Sequence, residues 1–181
     1  ADEWRKTIAS VRQHFSGMLI YSANWDHYKD IPFWDQLDLI GMNSYWTLDE
    51  TEDGGEKVHR RNQVTVPEIV ANWQEIQKPL ADFSRKKGKP ILFLEVGWCS
   101  LANAASEPWD YTRTDEAVDL DLQKRLWEGF FHAWYGRPYL AGFTGWAWAP
   151  NDGGPEDKGY TPKGKPAYEV IREWMGKKWT E

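Results

Sequence analysis

Glu95 is the residue best placed to do chemistry. It closes the apolar run Ile91-Leu92-Phe93-Leu94 and is followed by Val96-Gly97-Trp98. An ionised carboxylate in such company loses hydration and must recover it from a partner or a substrate. The other apolar runs, 18–24, 37–45 and 142–148, contain no Lys or Arg to neutralise it. A strand-end carboxylate paired with a more distant basic residue is the bland alternative. The chemical alternative is glycoside hydrolysis, in which a retaining enzyme holds two carboxyl groups about 5–5.5 Å apart. One attacks the anomeric carbon while the other protonates the departing oxygen, and no cofactor is needed.

Several residues stand ready to serve such a carboxylate. Tyr45, at the tip of the preceding apolar run, could donate its hydroxyl proton to Glu95 and hold it aimed and ionised. As a rim aromatic it would do nothing more than pack. Trp146 and Trp148 are two apart, share one face of their strand, and are flanked by the small Gly145 and Ala147. At least one could floor a sugar site; barrel filling is the simpler use, and for Trp146 the one the pattern favours. Asn24 and Asn43 could bind hydroxyls or cap loop backbone.

Other chemistries find no support. His14, His27, His59 and His132 are scattered, and Cys99 is the one cysteine, so neither a metal site nor an internal disulfide is expected. Gly-Lys at 88–89 and 164–165 lacks a Gly-rich phosphate loop, and there is no G-x-S-x-G elbow. A net charge of −6 with interspersed signs argues against nucleic acid as a partner. No apolar stretch approaches the ~20 residues of a membrane helix, and the first residues lack the order of a secretion signal. The 13 Trp, 8 Tyr and 7 Phe are a strong aromatic bias. Core filling and sugar-stacking platforms account for it equally well at this point.

The elements that must position these groups follow from periodicity. Trp4, Ile8, Val11 and Phe15 make one helical stripe, stopped by Gly17. Residues 18–24 and 37–45 read as buried strands with polar tips, separated by a turn or short helix around Pro32. Residues 47–64, polar and centred on Gly54-Gly55, read as a long loop. Thr65 and Glu68 form a capping-box pair for a helix running to Gly88, with a bend at Pro79. Residues 91–98 are the third strand. Thr112 and Asp115 suggest the cap of a helix carrying Val118, Leu122, Leu126, Phe130, Ala133 and Trp134 and ending at Gly136. A strand over 142–148 and a helix from about Pro166 complete the series.

Short buried strands alternating with helices predict an α/β fold with a parallel sheet in a single domain over residues 1–181. Periodicity does not separate a doubly wound sheet from a closed barrel. The position of the unusual residues favours the barrel: Asn24, Asn43, Tyr45, Glu95, Trp98, Trp146 and Trp148 all fall at or past the C-terminal ends of their strands, where barrel active sites are built.

Three segments, YSANWDHYKDIPFWDQLDLIGMNSYWTL, KPILFLEVGW and GFTGWAWAP, resemble glycoside hydrolase family 113, whose known members are retaining β-mannanases. The resemblance covers nearly the whole chain but only the later part of that family's barrel. It implies a parallel (β/α) barrel, here the second half of a TIM-type (β/α)8 barrel, strands five to eight. It implies that Glu95 is the nucleophile, that Tyr45 orients it, and that Trp148, or in second place Trp146, stacks under the sugar. Asn24, Trp25, Asn43 and Trp98 would line the cleft. The chain departs from the family in having Asn43-Ser44-Tyr45 where Asp-Ala-Tyr is usual.

In the resembled clan the acid/base Glu follows an Asn at the end of the fourth strand, and this chain contains no Asn-Glu dipeptide. The general acid is therefore expected outside it. The partners expected are a carbohydrate substrate and the missing N-terminal half of the barrel, in the same polypeptide or a second chain. Four barrel strands alone would leave two unpaired edges. The chain is thus expected to be a fragment, inactive in isolation. Polysaccharide hydrolysis favours a secreted or periplasmic setting, while action on short oligosaccharides would suit an intracellular enzyme. A non-catalytic carbohydrate-binding protein, or a partner-dependent half-barrel, is the alternative of another class.

Overall fold

The computed structural model describes residues 2–113 and 115–178. Along the chain run α1 (Asp2–Arg12), β1 (Ile20–Asn24), β2 (Leu39–Asn43), β3 (Glu50–Asp53), β4 (Glu56–His59), α2 (Val66–Lys87), β5 (Ile91–Val96), α3 (Leu120–Trp134), β6 (Leu140–Gly145) and α4 (Pro166–Met175). Strands β1, β2, β5 and β6 form one parallel sheet in that spatial order. Strand order that follows chain order, with no reversal, is the wall of a (β/α) barrel; a doubly wound sheet reverses at a switch point. Helices α2, α3 and α4 pack successively against one another outside it.

Local sequence explains most of these boundaries. Thr65 and Glu68 make the expected capping box, with the Glu68 carboxylate accepting from the Thr65 amide at 2.7 Å. Gly88 stops α2 in the left-handed region, at φ 66°, which a side chain would resist. The start of α3 differs from expectation. Asp119 caps it, accepting from the Leu122 amide at 2.8 Å, while Thr112 instead closes a turn on Asp110. The residues before the cap are held elsewhere, in an antiparallel bridge between Leu101 and Val118.

The core lies between sheet and helices. Ile40 and Met42 of β2 and Ile91 and Phe93 of β5 face Ile69, Trp73 and Leu80 of α2 and Leu126, Phe130 and Trp134 of α3, all buried. Trp34, Trp73, Trp98, Trp127 and Trp134 are each less than 2% exposed, so much of the tryptophan excess is core. Edge-to-face contacts such as Phe93–Trp134 (4.8 Å) and Trp73–Trp134 (5.6 Å) add to the hydrophobic burial. Leu92 and Leu94, alternating with the core positions of β5, are only half-buried on the opposite, inner face.

Residues 47–64 are not a plain loop, as their composition suggested. They contain the antiparallel hairpin β3–β4, closed by Gly54 and Gly55 at positive φ. Its anchor is nonlocal. The fully buried Asp49 accepts from the Arg61 amide (2.8 Å) and the Ser106 hydroxyl (2.7 Å) and lies 3.0 Å from His59 Nδ1.

Two borders of the sheet are bare. Among the described residues nothing pairs with the outer edge of β1 or of β6. On α1, Ile8 is buried, whereas Trp4, Val11 and Phe15 of the expected stripe are 48%, 39% and 50% exposed.

Candidate active site

Alternation alone would put Glu95 on the helix side, because Ile91 and Phe93, four and two residues back, both point into the core. A β-bulge reverses this. Met42 pairs with Phe93, but the next partner of β2, Asn43, stands opposite Glu95, so β5 gains one residue at this point. The pairing with β6 also shifts between Phe93 and Val96. A bulge at a barrel rim re-aims the side chains that follow it. Here it brings Glu95 level with Asn43 at the C-terminal end of the sheet.

Tyr45 meets it there. Its hydroxyl donates to Oε2 of Glu95 at 2.7 Å. Burial, and then the bond to Glu95, push the Tyr45 hydroxyl above its usual range, so the donor keeps its proton. Among the described residues no cation is paired with Glu95. The bland alternative of a charge locked by a basic side chain therefore has no partner to name.

Aromatic rings continue outward from this pair. Trp25 meets the Tyr45 ring edge-on with centroids 5.8 Å apart, and Trp109 stacks on Trp25 at 5.3 Å and 23°. Tyr160 approaches Tyr45 with centroids 6.4 Å apart and donates to the Pro108 carbonyl at 2.8 Å. On the neighbouring strands Ser22 donates to Asn43 Oδ1 (2.6 Å), and Asn43 Nδ2 donates to Asn24 Oδ1 (3.3 Å). This polar chain leads away from Asn43, the residue opposite Glu95.

A carboxylate held by a tyrosine at the rim of a parallel half-barrel, with indoles beside it, invites comparison with known glycosidases. The sequence matches Glycoside Hydrolase Family 113 over residues 1–165. The chain belongs to that family. Its fold matches a complex of a family 113 β-1,4-mannanase with a TM-score of 0.79 at 22% identity, over 98% of this chain and 51% of that one. The family 113 β-mannanase AaManA from Alicyclobacillus acidocaldarius, solved with ManMIm, gives 0.75 at 30% identity, over 95% and 49%. A Faecalibacterium prausnitzii β-glucuronidase shares the fold at 0.60 and 18% identity, over 98% and 29%. The chain therefore spans about half the length of the solved mannanases it matches. No curated protein matches it in sequence.

Not every expected residue of this family 113 chain reaches the rim. Trp98 is 1% exposed and packs edge-on against Trp127 at 5.4 Å, so it belongs to the layer between β5 and α3 and lines no cleft. Trp148 turns toward α4, where its ring meets Tyr168 at 5.8 Å. Trp146 starts close to the carboxylate strand. Its amide donates to the Val96 carbonyl at 2.7 Å, and a Cβ on Gly97 would fall 1.7 Å from its carbonyl oxygen. Both indoles, about half exposed, also line a groove of about 320 Å³ between the bare edge of β6 and α4.

Sequence reasoning missed Trp109 and Tyr160. Trp109 had a visible signal, the Pro108-Trp109-Asp110-Tyr111 cluster in the loop after the candidate strand. Tyr160 had none, since only the folded chain brings it to Tyr45.

Proposed function

We propose that this chain is the nucleophile-bearing half of a retaining glycoside hydrolase acting on a β-linked polysaccharide, β-mannan first. The observation that carries the reading is the Tyr45 hydroxyl bound to Glu95 at the C-terminal rim of a parallel sheet. The mannanase relatives support the substrate class.

In this reading Glu95 attacks the anomeric carbon and forms a glycosyl–enzyme bond as the departing oxygen takes a proton from a carboxylic acid outside this chain. Water then attacks the same carbon, gives its proton to that carboxylate, and frees Glu95. Tyr45 is a positioning residue: its proton fixes Oε2 and leaves the other oxygen for attack. Trp146 fits the stacking position better than Trp148, because its backbone abuts Gly97, two residues past Glu95. Asn24, Asn43 and Trp25 flank the bound sugar.

The remainder of the barrel, in the same polypeptide or a second chain, covers the bare edges of β1 and β6 and the open face of α1. The half described here is inactive alone. Trapping the full-length protein with a fluorinated glycoside and sequencing the labelled peptide tests the assignment. Label on Glu95 is expected, and label on any other residue defeats it.

A further inference from the structure

Beyond Trp25 the chain exposes two more aromatic rings on one short loop. Trp109 is 43% exposed and Tyr111 69% exposed. Trp25 covers one face of Trp109, so the exposure belongs to its other face and rim. Clustered apolar surface of this kind marks an interaction site.

The loop that carries it is fixed. Pro108 is buried and its carbonyl accepts from Tyr160. The Glu107 carboxylate accepts from Asn103 Nδ2 (3.3 Å) and from Arg113 (3.1 Å). Asp110 accepts from both the amide and the hydroxyl of Thr112, at 2.9 and 2.6 Å. Burial above all keeps the Tyr160 hydroxyl protonated and donating. A ring held in place before the ligand arrives costs little ordering on binding.

We infer that Trp109, stacked on Trp25 and anchored through Tyr160, is an outlying sugar platform that binds a further unit of the same polysaccharide chain. Tyr45, Trp25 and Trp109 form a continuous series of rings starting at Glu95. The free indole face is apolar, and it can take the C–H face of a pyranose while the sugar's hydroxyls stay in water. Two ring contacts, of 5.8 and 5.3 Å between centroids, separate Trp109 from Tyr45, so a ligand bound at Glu95 must extend along that series to reach it. The inference rests on the proposed function for the identity of the ligand.

The test uses the full-length protein carrying Glu95→Gln, which binds without turnover, with and without Trp109→Ala or Trp109→Phe. Calorimetry with β-1,4-mannohexaose and mannobiose reads binding. Trp109→Ala is expected to weaken mannohexaose about tenfold or more and to leave mannobiose unchanged, with Trp109→Phe close to the parent. Equal weakening of both ligands, or of neither, overturns the platform. So does a parent that binds no mannohexaose. Hydrolysis of mannan by the unsubstituted protein is measured in parallel: turnover with an indifferent Trp109 sinks the platform alone. No turnover with a Trp109-dependent mannohexaose site sinks the hydrolase reading alone.

Discussion

The Tyr45 hydroxyl and Oε2 of Glu95 lie 2.7 Å apart although their residues are separated by fifty positions in the chain. The contact exists because β2 and β5 are neighbours and because the bulge in β5 turns Glu95 to the face that Asn43 occupies. One hydrogen bond thus depends on strand order, register and an irregularity together.

If Glu95 is the nucleophile, removing that bond in the full-length protein should cost turnover more than binding. A hydrogen bond to a charged group contributes about 1.5–3 kcal/mol, which corresponds to a loss of about ten- to a hundredfold in kcat for Tyr45→Phe. KM should change little, since the ring and its contacts with Trp25 and Tyr160 remain. Steady-state kinetics on an aryl β-mannoside, with a melting curve to confirm folding, checks this. A variant within about twofold of the parent kcat would show that Tyr45 only packs.

Gly97 should tolerate no side chain. An alanine Cβ would sit 1.7 Å from the Trp146 carbonyl oxygen, a backbone atom that cannot turn aside. Gly97→Ala must therefore push the ends of β5 and β6 apart where Glu95 and Trp146 emerge. A destabilisation of about 1–3 kcal/mol is expected, with an activity loss larger than stability alone explains. Urea unfolding and aryl glycoside turnover of the full-length protein measure the two. A normal unfolding midpoint would mean the rim is looser than the distances imply.

The sequence made α2 legible to the residue at its start, because a capping box and a terminal glycine are local chemistry. Strand β5 was legible from its unbroken apolar run. The hairpin β3–β4 was not, since its strands carry Glu, Asp and Lys and are held by Asp49 reaching Arg61 and Ser106. The facing of Glu95 was hidden for a related reason. Alternation pointed it at the helices, and the bulge that corrects this is a property of pairing with β2. Trp98 misled in the other direction, lying past its strand end yet buried against Trp127.

Asp49 and His59 should make the hairpin pH-sensitive. The hydrogen bond to Asp49 is the main cause that raises His59 above its usual range near 6.5. Its contribution is complete below the unfolded value and fades as pH rises through the folded one. The imidazole is 57% exposed, so the effect is small and local. Hydrogen exchange over residues 50–59, corrected for intrinsic rates, should be faster at alkaline than at mildly acidic pH, and His59→Gln should erase the difference. Asp49→Ala should loosen the hairpin at every pH by about 2–3 kcal/mol, since it strands the Ser106 and Arg61 donors. An exchange pattern independent of pH in the parent would rule out the pair as its cause.

Trp146 and Trp148 share a sequence pattern but should separate in function. They flank Ala147 and read as sharing one strand face, yet the Trp148 ring meets Tyr168 of α4 while the Trp146 backbone lies against Gly97 beside the carboxylate. If Trp146 stacks under the sugar at the cleavage point, Trp146→Ala should lower kcat/KM by about ten- to a hundredfold on an aryl glycoside and on mannan alike. Every substrate must pass that point, whereas the outlying Trp109 is felt only by long ones. Trp148→Ala should instead lower stability by about 1–2 kcal/mol through the lost contact with Tyr168 and should leave turnover of the aryl glycoside near the parent. The melting temperature of Trp148→Ala and the kinetics of both variants decide it. Should Trp148→Ala lose turnover and Trp146→Ala keep it, the cleft runs along the α4 side of β6, and the stacking role passes to Trp148.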